Sequence, residues 1–364
     1  MASILVNMLA GEPDRMSGIS NYAFCLLREL AALKRDDYTL LTNWSQEALS
    51  RHLPLDAVRL VRRDAFRSEK LSYPANARLV AREADAAGAD VVFTPHPYGA
   101  PFGGKARVMV VHDIYRETHP ALHRLDRRLA WKAFFGFSLA RSNAIVCVSD
   151  ATRADLTRLH PATAGRSLTI HEASTIGAEP KKRRGQSTPY ALIVANSAPT
   201  KNFPMLTDAL AELVKRRSGV RLVWVGRDDS GDVARALHNH TMLLNFMPRG
   251  PVGEAELAGL YANARFYVAC SLAEGFCLPV VEAQRLGVPV IASHIPVLRE
   301  VAGDGAIFVD PASHLAWADA MEALWDDEAA RTELSARARA NAERFSWRKA
   351  AEEMSDVFAD VLNR

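Results

Sequence analysis

Residues 271–287 read SLAEGFCLPVVEAQRLG. An apolar, β-branched run at 266–269 leads into this string, and Pro279 stands where the first residue of a helix belongs. The spacing predicts a helix over 279–286 with Glu282 in its first turn. The unpaired N–H groups at 276–278 would then point at an anion. Gly275 lets the backbone approach a ligand closely. Glu274 and Glu282 flank this phosphate seat, and a sugar hydroxyl and a ribose diol are groups that two such carboxylates could grip. A glutamate that merely suits the helix macrodipole would explain Glu282 alone. It does not explain the whole string.

The flanking sequence alternates between short apolar runs and helix-period segments. Strands are predicted at 4–9, 38–42, 91–94, 108–112 and 144–148, with helices at 21–33, 121–140 and 151–159. Residues 176–189, IGAEPKKRRGQSTP, break the pattern and read as a linker. Beyond it come strands at 190–194, 221–225, 243–246, 266–269 and 288–292. Helices are predicted at 205–216, 254–262, 315–325 and 327–344, and a last amphipathic one at 345–362. Such alternation predicts parallel sheets covered on both faces. The expected fold is α/β: two doubly wound Rossmann-like domains, 1–175 and 190–344, facing a central cleft. Residues 345–364 are expected to pack back on the N-terminal domain. Ligands of such sheets sit outside the carboxyl ends of the strands, so the cleft is the expected site.

Composition narrows the class. Of 364 residues, 49% are hydrophobic and 24% charged, which excludes a disordered chain, a collagen-like repeat and a disulfide scaffold. Residues 1–170 carry 23 basic and 17 acidic side chains, while residues 171–364 carry 22 and 25. The basic half favours an acidic partner such as a phosphorylated ligand or an anionic membrane surface. Residues 121–140 place Arg124, Arg127, Arg128 and Lys132 beside Leu125, Leu129, Trp131 and Phe135. That pattern suits packing on a sheet and also suits a lipid surface. Nucleic acid is not expected, because no recognition motif accompanies the charge. Cys25, Cys147, Cys270 and Cys277 form no C-x-x-C pair and read as reduced thiols of a cytoplasmic protein. No run approaches 18 apolar residues.

Several familiar motifs fail. Residues 99–106, GAPFGGKA, lack the Ser or Thr of a phosphate loop and run into a strand. No G-x-G-x-x-G follows the first strand, and no G-x-S-x-G is present. His238 and His240 lack ligand-spaced partners, and His171-Glu172 lacks the second histidine of a zinc protease. Asp228, Asp229 and Asp232 read as solvated loop carboxylates, and no metal is expected.

Glu274, Gly275, Phe276, Leu278, Pro279 and Glu282 resemble the E-G-F-G-L-P…E element of the retaining glycosyltransferases of family 4, which have the GT-B fold. The resemblance runs along nearly the whole chain. Gly18-Ile19-Ser20-Asn21-Tyr22 is similar to the family's G-I-x-x-Y turn, His112-Asp113 to its H-D element, and Lys201-Asn202 to its R-K-N. VCVSDATRADL at 146–156 and the run at 289–311 also fit. The resemblance implies transfer of a hexose, such as mannose from GDP-mannose, from a nucleotide-diphosphate donor with retention. The acceptor would be a glycan or lipid-linked glycan in exopolysaccharide or lipopolysaccharide synthesis, handled at the inner face of the membrane. The nucleotide-sugar is a substrate, and neither metal nor cofactor is expected.

By the same resemblance, Lys201 neutralises the diphosphate, and Glu274 with the backbone of Gly275, Phe276, Cys277 and Leu278 holds the donor sugar and phosphate. Glu282 binds the ribose, His112 contacts the donor sugar near the reacting centre, and Gly18 lets the N-terminal domain close over the phosphates. Three departures stand out. Asn196, Ser197 and Thr200 occupy places where the family carries an Arg, so one phosphate-binding charge is either missing or supplied from elsewhere, by Arg227 or Arg249. Cys277 replaces a glycine, which would either change the donor pocket or make activity thiol-sensitive. HEASTIG at 171–177 replaces an N-G-[IV]-D turn. The missing Arg motivates a second reading, a non-catalytic nucleotide- or glycan-binding partner. A sugar-nucleotide epimerase of the same fold is a third.

Overall fold

The computed structural model describes residues 1–9, 13–64, 72–122, 125–177, 188–231, 233–235 and 245–364. The KKRR run, most of the expected linker, His238, His240, Asp232, Arg124 and the start of the strand expected at 243–246 lie outside them. The chain divides into two compact units. One comprises Met1–Glu172 with Ser346–Arg364, the other Ala173–Phe345.

The first unit is built on a seven-stranded sheet. Its strands are β1 (Ser3–Met8), β2 (Asp37–Thr42), β3 (Arg59–Arg62), β4 (Val91–Thr94), β5 (Ala106–Val111), β6 (Ala144–Cys147) and β7 (Ser167–Thr169). They lie in the order β3-β2-β1-β4-β5-β6-β7 with every pairing parallel. The second unit holds β8 (Ala191–Val194), β9 (Leu222–Val225), β10 (Phe246–Gly250), β11 (Phe266–Ala269), β12 (Val290–Ser293) and β13 (Ala306–Val309). Its order is β10-β9-β8-β11-β12-β13, again all parallel. These are two Rossmann-like doubly wound units. Central strands such as VVFT, AIVC and FYVA are buried along their whole length, as parallel strands covered by helices on both faces must be.

Several elements escaped the sequence pattern, three strands and a long helix among them. β3 reads RLVR and is an edge strand with charged ends, β7 has only three residues, and β13 reads AIFV after a Gly-Asp-Gly turn. The helix Ser72–Ala87 carries a proline and scattered charges that blur its apolar stripe. The strand expected to end at 246 instead begins there. Pro248 and Arg249 lie on β10 rather than in a loop. Pro248 is tolerated because β10 is an edge strand, and its register with β9 shifts between Pro248 and Gly250.

The helix Gly18–Leu33 opens on a reciprocal cap. The Ser17 hydroxyl accepts the Ser20 N–H at 3.2 Å and the Ser20 hydroxyl accepts the Ser17 N–H at 2.7 Å. An added Cβ at Gly18 would meet nothing within 4 Å, so no neighbour in the chain demands glycine there. The helix Trp347–Asn363 belongs to the first unit. Its Trp347 ring meets Tyr22 at 5.6 Å and its Phe358 ring meets Phe93 at 5.3 Å. The second unit's core gathers Phe203, Trp224, Phe246, Phe266 and Trp317, all buried. Burying such side chains contributes roughly 1.5–3 kcal/mol each. No described helix is long and apolar enough to cross a membrane.

Candidate active site

In the second sheet the strand order reverses between β8 and β11, the topological switch point where such sheets bind ligands. A pocket lies there, lined by Val194, Ala269, Lys201, Ser271, Glu274 and Cys277. Lys201 ends a single 3-10 turn, Pro199–Lys201, and Asn202 follows it in the left-handed region at φ 57°. Asparagine tolerates that conformation better than most residues. Its Nδ2 donates to the Pro311 carbonyl at 2.8 Å, and the Leu272 N–H donates to the Thr200 carbonyl at 2.7 Å. The two loops of the switch point are thereby tied together. Lys201 Nζ donates to Glu274 Oε1 at 2.5 Å, and Ser271 Oγ donates to the same oxygen at 2.6 Å. The Glu274 side chain is 8% exposed and that of Lys201 25%, so the cation is the more open of the pair.

Asn196, expected among the donor-binding residues, stands in the loop after β8. Its Oδ1 accepts the Arg227 N–H at 3.0 Å, joining the loops after β8 and β9. Gly226 passes close to that junction at φ 152°, where an added Cβ would lie 2.0 Å from the Ala195 carbonyl oxygen. The Arg227 side chain pairs with Asp229 at 3.3 Å. Arg249 is exposed on β10, two strands from β8. Asp228 accepts the N–H groups of Val233 and Ala234 at 3.3 and 2.9 Å. Burial pushes its carboxyl up, but bonds from Ser197 and these N–H groups outweigh burial and hold it below its usual value.

The helix after Glu274 spans Leu278–Arg285. It starts one residue earlier than expected, which moves Glu282 out of the first turn. Pro279 remains at the helix start, and no side chain caps its N-terminus. Cys277, the residue before the helix, sits at φ 79° and ψ 65°. Here is the physical reason for a glycine in the resembling element: the position is left-handed. Burial, reinforced by the Glu274 charge, pushes the Cys277 thiol well above its ordinary value. It is a thiol rather than a thiolate at neutral pH, so the expected thiol sensitivity has little nucleophile behind it. The Phe276 ring is 3% exposed and packs edge-on against Phe345 at 5.4 Å. Any ligand contact there falls to its backbone.

Glu282 is 5% exposed. Its Oε1 accepts the Thr175 hydroxyl at 2.6 Å and its Oε2 accepts the Tyr261 hydroxyl at 3.0 Å. Burial raises its carboxyl above the usual range, against the two hydroxyls. No local sequence signal points to Thr175, Tyr261 or Ser271. A carboxylate oxygen retains acceptor capacity beyond one bond, so neither oxygen is saturated by these two hydroxyls.

His112 and Gly18 belong to the first unit. His112 follows β5 directly. Its Nε2 stands 3.1 Å from the Pro95 carbonyl oxygen and its Nδ1 3.1 Å from Glu172 Oε1. The Tyr22 ring stands perpendicular to the imidazole at 4.8 Å. The only local signal at Glu172 is a failed zinc motif, His171-Glu172.

The family model described as glycosyl transferases group 1 matches residues 178–345, and the one described as glycosyltransferase family 4 matches residues 16–173. The O-antigen chain mannosyltransferase B of Escherichia coli is 28% identical over 370 residues, covering 93% of this chain and 96% of that one. The sucrose-phosphate synthase of Thermosynechococcus elongatus superposes with a TM-score of 0.81 at 18% identity, covering 100% of both chains. HepE of Anabaena, solved in complex with UDP and glucose, superposes with a TM-score of 0.77 at 17% identity over 99% of this chain and 100% of that one.

Proposed function

Because the chain belongs to the family 4-like glycosyltransferases of the GT-B fold, we propose that it moves a hexose, with retention, from a nucleotide-diphosphate donor to a glycan or lipid-linked glycan acceptor. The observation that carries this reading is the switch-point pocket, where a lysine, an acid and an uncapped helix start converge. Negative charge develops on the diphosphate as the glycosidic bond breaks. Lys201 and the N–H groups of residues 276–278 meet that charge, so the proposed reaction needs no metal. The acceptor hydroxyl attacks from the face the phosphate leaves. Its proton passes to the departing phosphate oxygen, and no protein nucleophile takes part. Glu274 holds Lys201 and the donor sugar, and Glu282 takes the ribose.

Mannose from GDP-mannose is the proposed donor, supported by similarity along 93% of the chain to an O-antigen mannosyltransferase. Cell-surface polysaccharide is the proposed product class. Peripheral contact with a membrane is supported by the helix Leu125–Arg141. It buries Trp131, Phe135 and Leu139, yet leaves Leu125 64% and Leu129 60% exposed, with Lys132 and Arg141 exposed on the same helix.

Thermal unfolding with GDP, UDP, TDP and ADP, each in EDTA, tests the proposal. A ligand at about 100 times its Kd adds roughly 2.7 kcal/mol. One nucleotide should raise the midpoint without metal, and Glu282→Ala should remove the rise. If no nucleotide does so, the lost Arg has cost the pocket its donor, and a non-catalytic glycan-binding partner becomes the better reading.

A further inference from the structure

We propose that Glu172 is a positioning residue for the transfer reaction, holding His112 as an imidazolium with both N–H bonds committed inside the first unit. The inference rests on the reading that His112 works beside the reacting centre.

A carbonyl and a carboxylate accept hydrogen bonds and do not donate them. The His112 ring stands between one of each, at 3.1 Å on both sides. Both bonds form only if both ring nitrogens carry a proton. The pair is enclosed, since the side chains of His112 and Glu172 are 13% and 6% exposed. Enclosure alone would drive the proton off. The Glu172 bond and charge, the Pro95 carbonyl and the charge of Asp113 reverse this and raise His112 above its ordinary value. Glu172 comes from the loop after β7, two strands from β5, so its reach across β6 is a tertiary arrangement rather than a local turn.

The other titratable groups near the ring do not compete for the charge. Burial, and then the charge of His112 itself, push His96 down to about 3, so it is neutral. Burial and Glu172 push the Tyr22 phenol up, so it is neutral as well. An imidazolium has no lone pair and cannot deprotonate the acceptor hydroxyl. What it offers is a fixed positive charge in a closed setting. This fits a reaction in which the leaving phosphate takes the proton.

The test is a ring-nitrogen NMR titration of His112 in the full chain, paired with pH profiles of kcat/KM for sugar transfer. In the wild type both ring nitrogens should be protonated at pH 7. Glu172→Gln keeps an acceptor oxygen but removes the charge. It should lower the His112 titration by at least about one pH unit, the ordinary effect of an opposite charge at this range. The alkaline limb of kcat/KM should move down by the same amount. Glu172→Asp should restore much of both and serves if the Gln variant folds poorly. A neutral ring in the wild type at pH 7, or a titration unmoved by Glu172→Gln, overturns the proposal. If His112→Gln leaves transfer unchanged, the reading of His112 itself fails. If that change costs activity while Glu172→Gln shifts no limb, only the role of Glu172 fails.

Discussion

The two sheets share a strand order: β3-β2-β1-β4-β5-β6 in the first unit runs as β10-β9-β8-β11-β12-β13 does in the second. They arm that frame differently. The second unit puts its charge at the reversal itself, with Lys201 on the loop after β8 and Glu274 on the loop after β11. The first unit puts its charged pair one strand further on, at the end of β5, and closes it with Glu172 from beyond β7. Lys201 keeps a quarter of its side chain exposed, His112 about an eighth. One topology thus presents an accessible cation in one unit and a sequestered one in the other. The accessible cation suits a ligand that arrives with its own negative charge. The sequestered cation suits a field held constant whatever arrives.

The largest test of this contrast is Lys201→Ala. Removing a preformed donor to developing charge costs about 10²–10³ in rate, and kcat for sugar transfer should fall by that factor with the fold intact by circular dichroism. A smaller loss would mean that the second unit's cation is not the group that meets the leaving phosphate. Glu282→Gln should act on stability in the opposite sense to function. Burial raises the Glu282 carboxyl. Its stabilising share is therefore full below the unfolded value of about 4.3 and is lost as pH rises through the folded value. At pH 7 the variant should unfold at a higher temperature than wild type, a gap that closes as pH falls toward about 4. Its nucleotide-induced midpoint shift should shrink.

Cys277→Gly should relieve a left-handed backbone that costs a side-chain-bearing residue roughly 1–2 kcal/mol. The unfolding midpoint should then rise by about 2–4 °C for each 1 kcal/mol relieved. An unchanged midpoint would mean that the site accommodates φ 79° without strain. The smallest effect is expected from Arg249→Ala. An exposed edge-strand residue should change stability by less than about 0.5 kcal/mol. A clear loss of nucleotide affinity in calorimetry would instead make Arg249 the second phosphate cation.

What the sequence made legible follows from how local each signal is. The string around Glu274 is contiguous, so its turn, helix start and two acids could be read together. The Lys201 loop was legible only through the resemblance of Lys201-Asn202 to the family's R-K-N element. The partners were not legible. Thr175 and Tyr261 reach Glu282 from 107 and 21 residues away, and Glu172 reaches His112 from 60. No periodicity encodes those distances. The helix start was missed by one residue because Leu278 precedes the proline that marks it, and that single residue moved Glu282 out of the first turn. Arg249 was misplaced because Pro248 argues for a loop anywhere except on an edge strand.

The first unit is discontinuous in the chain. Residues 1–172 make its sheet, and the helix that covers Tyr22 and Phe93 comes only at Trp347–Asn363, after the whole second unit. Synthesis proceeds from the N-terminus at about 5–20 residues per second, so the second unit has its full sequence before the first one does. For that interval the faces that Trp347, Met354 and Phe358 later bury stay open to water, chaperones and neighbouring nascent chains. The unit whose strands are made first is therefore completed only after the second unit's sequence has been made.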